Sequence, residues 1–486
     1  MWTKSVFTQS IWLLVSCQWA SAATVDWTSI TTSRGDQLPD FSFCGYHSSD
    51  KEIPSTDSTP IVTVKSSSGD QTAEIQQALD LAAASGGGVV RLAKGTLHVS
   101  SGLVIPSNVV LQGAGIASTY LAVDGLKVGI PVLSLGNGTA SRFNPERSTA
   151  ITDEYVGIGA KTVTVQNAEG IKAGQSVFVS RAVTAAWVRD NGMADLVRDD
   201  EPQTWIREGV LVQQPRVVEK VSGKKVTFKV PLTDALDSKY MSPYLAVYSS
   251  PPKSYEIGVE DLSITRKPSC SGLKLNASSP CAVAALSVAP WTVDSWVRGV
   301  NITGFNSFLE IQSNSSRITI EKLSLFRDAD TDNAAGYPAD ISIQGSQVLI
   351  RESGQYGLST AKAFAVVTQS GTPGPNAVLR HETQANIQQL YPHQRWAHGF
   401  LVDDTDASAS FINRGTSGSG HGWSINAGVT WNVRGDVQIQ SPPLGVNWGV
   451  GSTGKIVSPT NGTMLGTGSK VTPQSLFEAQ LSARKT

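Results

Sequence analysis

The hydrophobic positions change period abruptly between Gly69 and Gly115, where the chain reads GDQTAEIQQALDLAAASGGGVVRLAKGTLHVSSGLVIPSNVVLQGAG. Ile75, Ala78, Leu79 and Ala82 fall on one face, the spacing of an amphipathic helix, with Thr72 placed to cap it. Gly86, Gly87 and Gly88 stop that helix. Short β-branched runs follow at once: Val89–Leu92, Leu97–Val99, Leu103–Ile105 and Val109–Gln112, each broken by Gly, Pro, Ser or Asn. One helix followed by strands a few residues long, with sharp corners between them, predicts a cap on a coiled stack of strands.

The rest of the chain extends this pattern. Residues 24–60 have no clean period and would wrap the side of the helix, with Val62–Val64 as a first strand. Residues 116–155 are loop-rich, with one strand near Val132–Leu135. Residues 161–232 alternate instead: KTVTVQ and SVFVSR are strands, and RVVEKVSGKKVTFKVPL reads as a hairpin turning at Ser222-Gly223. The polar stretch between them is part helical. No linker isolates this region, so it reads as an insertion packed against the stack. From Ile257 to about Gln440, β-branched runs recur at a spacing of roughly twenty-odd residues, each with a small or Asn-bearing corner. Residues 441–486 form a Pro/Gly/Ser-rich tail ending in a short helix, LFEAQLSAR.

The stretch D-x-T-x-x-I-Q-x-A-L … G-G-G-V-V … G-T … L-x-I-P-S-N-V-x-L-x-G-x-G resembles the N-terminal cap of the pectin-lyase-like superfamily. That resemblance implies an all-β fold, a single-stranded right-handed parallel β-helix over residues 61–440, with an N-terminal capping helix and a side insertion. It also implies action on polysaccharides, without fixing the reaction.

Other features set the compartment. Lys4, the apolar run Ile11–Val15 and the small residues Ala20 to Ala23 read as a secretory signal peptide over residues 1–23. No segment is long enough to span a membrane. Five Asn-x-Ser/Thr sequons, at Asn137, Asn276, Asn301, Asn314 and Asn461, are candidate glycosylation sites of a secreted protein. Cys270 and Cys281 flank a short loop that a disulfide would close, which leaves Cys44 as a buried thiol or paired elsewhere. The net charge is −1 and the charged fraction 16%. Bulk positive charge is therefore absent, nucleic acid is not indicated, and an anionic substrate must meet a local cluster. The expected protein is a monomer.

Four of the six histidines, His381, His393, His398 and His421, lie within about forty residues, among Arg380, Arg395, Arg414, Asp403, Asp404 and Asp406. In YPHQRWAHGF, strand alternation puts His393 and Arg395 on one face. A base beside a guanidinium is what β-elimination on a uronate needs: the guanidinium neutralises the carboxylate and the base takes the proton. His393 as base, Arg395 or Arg380 as carboxylate partner and Tyr391 as proton donor fit that chemistry. His381 and His398 would line the site, and Trp396 and Trp423 would contact sugar. Structural corners and core aromatics account for the same residues if the cluster has no function.

Two further patterns compete. Asp403-Asp404 followed by Gly420-His421-Gly422 resembles part of the polygalacturonase active site, implying a glycoside hydrolase with Asp403, Asp404 and His421 as its catalytic residues. The N-T-D and R-I-K motifs of that family have no match at the required places. Pectate lyases hold Ca²⁺ with several Asp residues, and Asp328, Asp330 and Asp332 alternate in RDADTDN, as a calcium site or an exposed acidic corner. The expected function is a secreted enzyme cleaving an acidic polysaccharide, by β-elimination ahead of hydrolysis. The alternative outside enzymology is a cell-wall or adhesion protein that uses the coil as a rigid spine.

Overall fold

The computed structural model describes residues 22–56, 59–125, 129–140, 145–267, 283–329, 338–384 and 389–486. Its centre is a right-handed parallel β-helix. One face is a nine-stranded parallel sheet running from Leu103–Ile105 to Val437–Ile439. The other two faces belong to one seventeen-stranded sheet, folded where its strands bend. Val, Ile and Leu stack in register inside, for example Leu133, Leu286, Leu309, Ile341 and Val366 on the nine-stranded face. Parallel strands need both faces covered, so the interior reads as near-continuous apolar runs.

The bends form two columns of left-handed residues. The first column carries Glu256, Asp294, Arg317 and Gln347, with φ of 54°, 47°, 58° and 55°. The second carries Asp261, Gly299, Lys322, Glu352, Arg380, Asp404 and Asn432, with φ between 46° and 60°. Such conformations cost a non-Gly residue on the order of 1 kcal/mol each. Stacking one coil on the next at about 4.8 Å holds them in place.

Between the columns the outward positions run Glu260, Arg298, Glu321, Arg351, Leu379, Asp403, Trp431 and Val450. The first four pair charges, Arg298 with Glu260 at 2.7 Å and Arg351 with Glu321 at 2.5 Å. The apolar end is covered. Leu38 and Phe41 from the N-terminal segment pack with Leu476 and Phe477 of the helix Leu476–Lys485 onto Leu401, Trp431 and Trp448.

The helix Thr72–Ala84 closes the N-terminal end with Ile75, Ala78, Leu79 and Ala82 buried. Its N-cap residue is Gln71, not Thr72, whose N–H instead donates to Asp70. The insertion is wider than residues 161–232. Arg147–Ala150 and Tyr244–Val247 join its six-stranded antiparallel sheet, and its hairpin turns at Gly223-Lys224 because Ser222 pairs with Lys225. Parallel strands also continue past Gln440, at Trp448–Val450 and Thr463–Leu465, so the coil runs into the expected tail. The terminal helix forms as expected. Cys44 is buried and unpaired, whereas Cys270, Cys281 and Asn276 lie outside the described residues. Among the described residues no helix is long and apolar enough to cross a membrane.

Candidate functional site

The residues between 380 and 421 do not form one site, because a coil carries consecutive residues around different faces. Arg380 and Asp404 stack on neighbouring coils of the second column and face the C-terminal helix. Asp404 meets Arg434 at 2.7 Å, Arg380 at 3.5 Å and Gln474 at 2.8 Å, and Arg380 also meets Glu478 at 2.6 Å. Asp403 sits in the covered outer column. It accepts from Ser475 Oγ at 2.7 Å and from the N–H groups of Leu476 and Phe477 at 3.2 and 2.8 Å. It therefore holds the first turn of that helix, whose N–H groups have no intrahelical acceptor. Burial pushes its carboxyl up to about 7, against the pull of these three donors. Asp403 is fully enclosed, so no polymer reaches it.

His393 and His421 do meet, ring edge to face at 4.7 Å. Arg414 lies over the Tyr391 ring at 5.0 Å and donates to the His393 carbonyl. Burial first, then Arg414, brings His393 down to about 4. The same causes, in the same order, bring His421 to about 3. Arg395 is engaged by the protein: it donates to Trp205 O, Gln394 Oε1, Ser419 O and Ser419 Oγ at 2.6 to 2.8 Å. A guanidinium held by four acceptors is a poor clamp for a substrate carboxylate.

The aromatic expectations are corrected by burial. Trp396 meets Trp187 and Trp205 edge to face and donates to Asp234 at 2.9 Å. Trp423 donates to Asn191 O at 2.9 Å within the same cluster. Both fasten the insertion to the coil and show no face to sugar. His398 is enclosed against Thr233 at 2.8 Å, and His381 is wholly enclosed, its pKa lowered to about 4 by burial. Of the acidic triplet, Asp330 and Asp332 lie outside the described residues. Among the described residues no cluster of His, Cys, Asp or Glu could hold a metal.

An open groove lies elsewhere, between the insertion and the first column of corners. It has two adjoining chambers of about 410 and 260 Å³ that share Pro215, Tyr248, Lys253, Ser316 and Ser346. Its coil wall repeats one corner on successive turns, with Asp294, then Ser316-Arg317, then Ser346-Gln347. The insertion supplies Arg216 and Lys229, and Lys253 enters from the segment that returns the chain to the coil. His47, at φ 46°, packs onto this wall. Its N–H donates to Asp294 at 3.2 Å, and its Nε2 lies 2.6 Å from Glu256.

The groove is electrostatically unbalanced. Both lining carboxylates are ion-paired: Asp294 bidentate with Arg317 at 2.6 and 2.7 Å, and Asp50 with Arg484 at 2.7 Å. Lys229 and Lys253 form no ion pair among the described residues, although the Asp294 carboxylate partly favours the charged form of Lys253. Arg216 is enclosed, bonded to carbonyl and amide oxygens of Pro215, Pro231, Gly374 and Gln214, and burial lowers it to about 9. Lys253 is lowered from the usual ammonium range by desolvation and by Arg317. Sequence reasoning missed all of these residues. The signal was present in TVDSWV, SRITI and SQVLI, which align as repeats and place Asp294, Arg317 and Gln347 on one corner.

No family model matches the chain, and no curated protein matches it. Among solved structures, it is similar to the tailspike protein gp49 of Pseudomonas phage LKA1, at 14% identity and TM-score 0.33, over 81% of this chain and 70% of that one. It is also similar to the Gp54 tailspike of Acinetobacter baumannii bacteriophage AP22, in complex with a capsular saccharide, at 9% identity and TM-score 0.28, over 82% and 71%. A mutant tailspike of E. coli bacteriophage HK620, in complex with a pentasaccharide, gives 8% identity and TM-score 0.40, over 80% and 55%. These values are low, and the fold assignment rests on the strand register described above.

Proposed function

We propose that the protein is a secreted enzyme that binds an acidic polysaccharide in the groove between the insertion and the coil and cleaves it by β-elimination. The observation that carries this reading is the pair of lysines outside any ion pair among the described residues, Lys229 and Lys253, beside Arg317 in the groove. A chain with net charge −1 concentrates unpaired cations there, and a polyanion is the ligand that balances them.

The chemistry follows from the same residues. Arg317 keeps its Nη1 donors beyond the two nitrogens engaged by Asp294; these donors orient a uronate carboxylate, and the Lys229 ammonium, which forms no ion pair among the described residues, neutralises it. Neutralisation makes the adjacent C5 proton removable. Lys253, whose pKa is lowered by desolvation and by Arg317, takes that proton in the fraction of molecules where it is deprotonated, a fraction that grows with pH. The electron pair forms the C4–C5 double bond, the C4–O bond breaks, and the departing sugar oxygen takes a proton from water to leave as a hydroxyl. Hydrolysis would need two carboxyl groups across the bond, and both groove carboxylates are committed to arginines. The test is incubation with uronate-containing polymers, following the ultraviolet absorbance of unsaturated ends together with reducing ends. Reducing ends without absorbance would reject elimination, and neither signal across the panel would favour the spine reading.

A further inference from the structure

Elimination breaks bonds on two adjacent carbons. The group that takes the C5 proton and the group that protonates the departing oxygen must therefore lie within about one sugar ring of each other. Lys253 supplies the first. His47 lines the same chamber, with 24% of its side chain exposed. The two meet at Asp294, which holds Arg317 through two nitrogens and accepts from the His47 N–H at 3.2 Å. Asp294 and Arg317 are also the charges that act on Lys253.

The His47 ring is held in one orientation. Its Nε2 lies 2.6 Å from Glu256 Oε1, and an ionised carboxylate only accepts, so Nε2 carries a proton. The Tyr46 hydroxyl donates to the other oxygen of Glu256 and fixes that carboxylate. Nδ1 is 3.8 Å from Asp294 Oδ1, too far for a hydrogen bond, and that oxygen already accepts from Arg317 Nε and the His47 N–H. The charged ring thus has a carboxylate beside each nitrogen, yet its Nδ1 proton is not bonded to either. The backbone is also unusual. His47, Ser48 and Ser49 take φ of 46°, 58° and 57°, a run of left-handed conformations at residues that carry a Cβ. Such strain collects where a side chain has to be aimed. Neighbours hold the turn: Gln347 donates to Ser48 Oγ at 3.1 Å, Arg484 to the Ser48 carbonyl at 2.6 Å, and Ser49 Oγ to the Cys44 carbonyl at 2.7 Å.

We infer that His47 is the proton donor for the departing sugar, its Nδ1 proton reaching the oxygen through one water. Lys253 takes the C5 proton, the C5–H electrons form the C4–C5 double bond, and the C4–O electrons leave on oxygen. That oxygen takes a proton from the water, which takes one from Nδ1. The ring is left neutral, with its Nε2 proton still on Glu256. Solvent then returns a proton to Nδ1 and removes the one on Lys253. This inference rests on the proposed function and adds to it the acid partner of Lys253.

The test compares two leaving groups. One substrate is the uronate-containing polymer. The other is an oligouronate with a nitrophenoxy group at C4 of its nonreducing end, whose departing oxygen needs no proton. His47→Asn removes the ring and keeps a residue that accepts the left-handed backbone; His47→Gly is the second variant should the amide disturb the turn. Polymer cleavage is expected to fall on the order of a hundredfold, the scale of a lost general acid, while nitrophenolate release stays at the wild-type rate. Equal losses on both substrates would make His47 a support of the wall and overturn the inference. Full polymer cleavage by the variants would overturn it too, as would wild-type protein that cleaves the polymer and releases no nitrophenolate. Failure of the parent reading shows separately, as Lys253→Met acting on both substrates at the wild-type rate.

Discussion

Asp403→Ala separates a structural from a catalytic reading of the DD segment. Asp403 accepts three hydrogen bonds, from Ser475 Oγ and from the N–H groups of Leu476 and Phe477. Alanine leaves two buried helix N–H groups and a hydroxyl without that acceptor. Each unsatisfied group costs about 1–3 kcal/mol, and water entering the vacated space offsets part of the sum. A net loss of about 3 kcal/mol corresponds to roughly a hundredfold in the equilibrium that undocks the helix. The effect should be local, since the helix Leu476–Lys485 packs on the outside of the coil through Leu476 and Phe477. Amide hydrogen exchange of a peptide spanning residues 474–486 reads it directly. Exchange there should accelerate roughly a hundredfold, with the coil strands unchanged and polysaccharide cleavage largely retained. Abolished cleavage with unchanged exchange would refute the reasoning and restore Asp403 to the chemistry.

The same residue gives a pH expectation. Its folded pKa is raised from 3.8 to about 7, so the native state binds the extra proton. Its contribution to stability is full below about 4 and is lost as pH rises through 7. Helix exchange should quicken over that window, and Asp403→Asn, which cannot titrate, should flatten the profile. Lys253 has a lowered pKa, so the cleavage rate should climb with pH along a limb centred below the ordinary 10.5 of a lysine; a limb at or above that value would remove Lys253 as the base. Lys229→Ala should weaken binding of an acidic oligosaccharide by roughly threefold at low salt, with the difference vanishing at high salt. Trp396→Phe leaves Asp234 short of one buried donor and should destabilise by about 1–3 kcal/mol in denaturant unfolding without changing oligosaccharide affinity. Asn314 lines the second chamber of the groove, so active protein from a glycosylating host should carry no glycan there by peptide mapping; a glycan at Asn314 on fully active protein would place the substrate elsewhere.

What the sequence reveals depends on how local each signal is. The capping helix and the first four strands are legible because their apolar spacing and Gly punctuation act within a few residues. The widened insertion is less so, since Arg147–Ala150 is mostly exposed and lacks an apolar face. The corners are hidden because Asp261, Lys322 and Arg380 take left-handed conformations that composition assigns to Gly or Asn. The clustering of His and Arg after residue 380 misleads for a geometric reason. One coil takes Arg380 to the C-terminal helix, His393 to the nine-stranded face and His398 to the insertion. The groove instead gathers residues from 43 to 373, separated by whole coils and brought together only by the strand register.

The central claim is that an acidic polysaccharide is cut in the groove with Lys253 as base. The most direct measurement is the rate of unsaturated-end formation by Lys253→Met and by His393→Ala, each against the wild-type protein on the same uronate-containing polymer, with binding followed in parallel. The account predicts that Lys253→Met loses at least a hundredfold in rate, the scale of a lost general base, while still binding polymer, and that His393→Ala retains most of it. Full cleavage by Lys253→Met, with loss in His393→Ala, would contradict the account and return the chemistry to the His393–His421 corner.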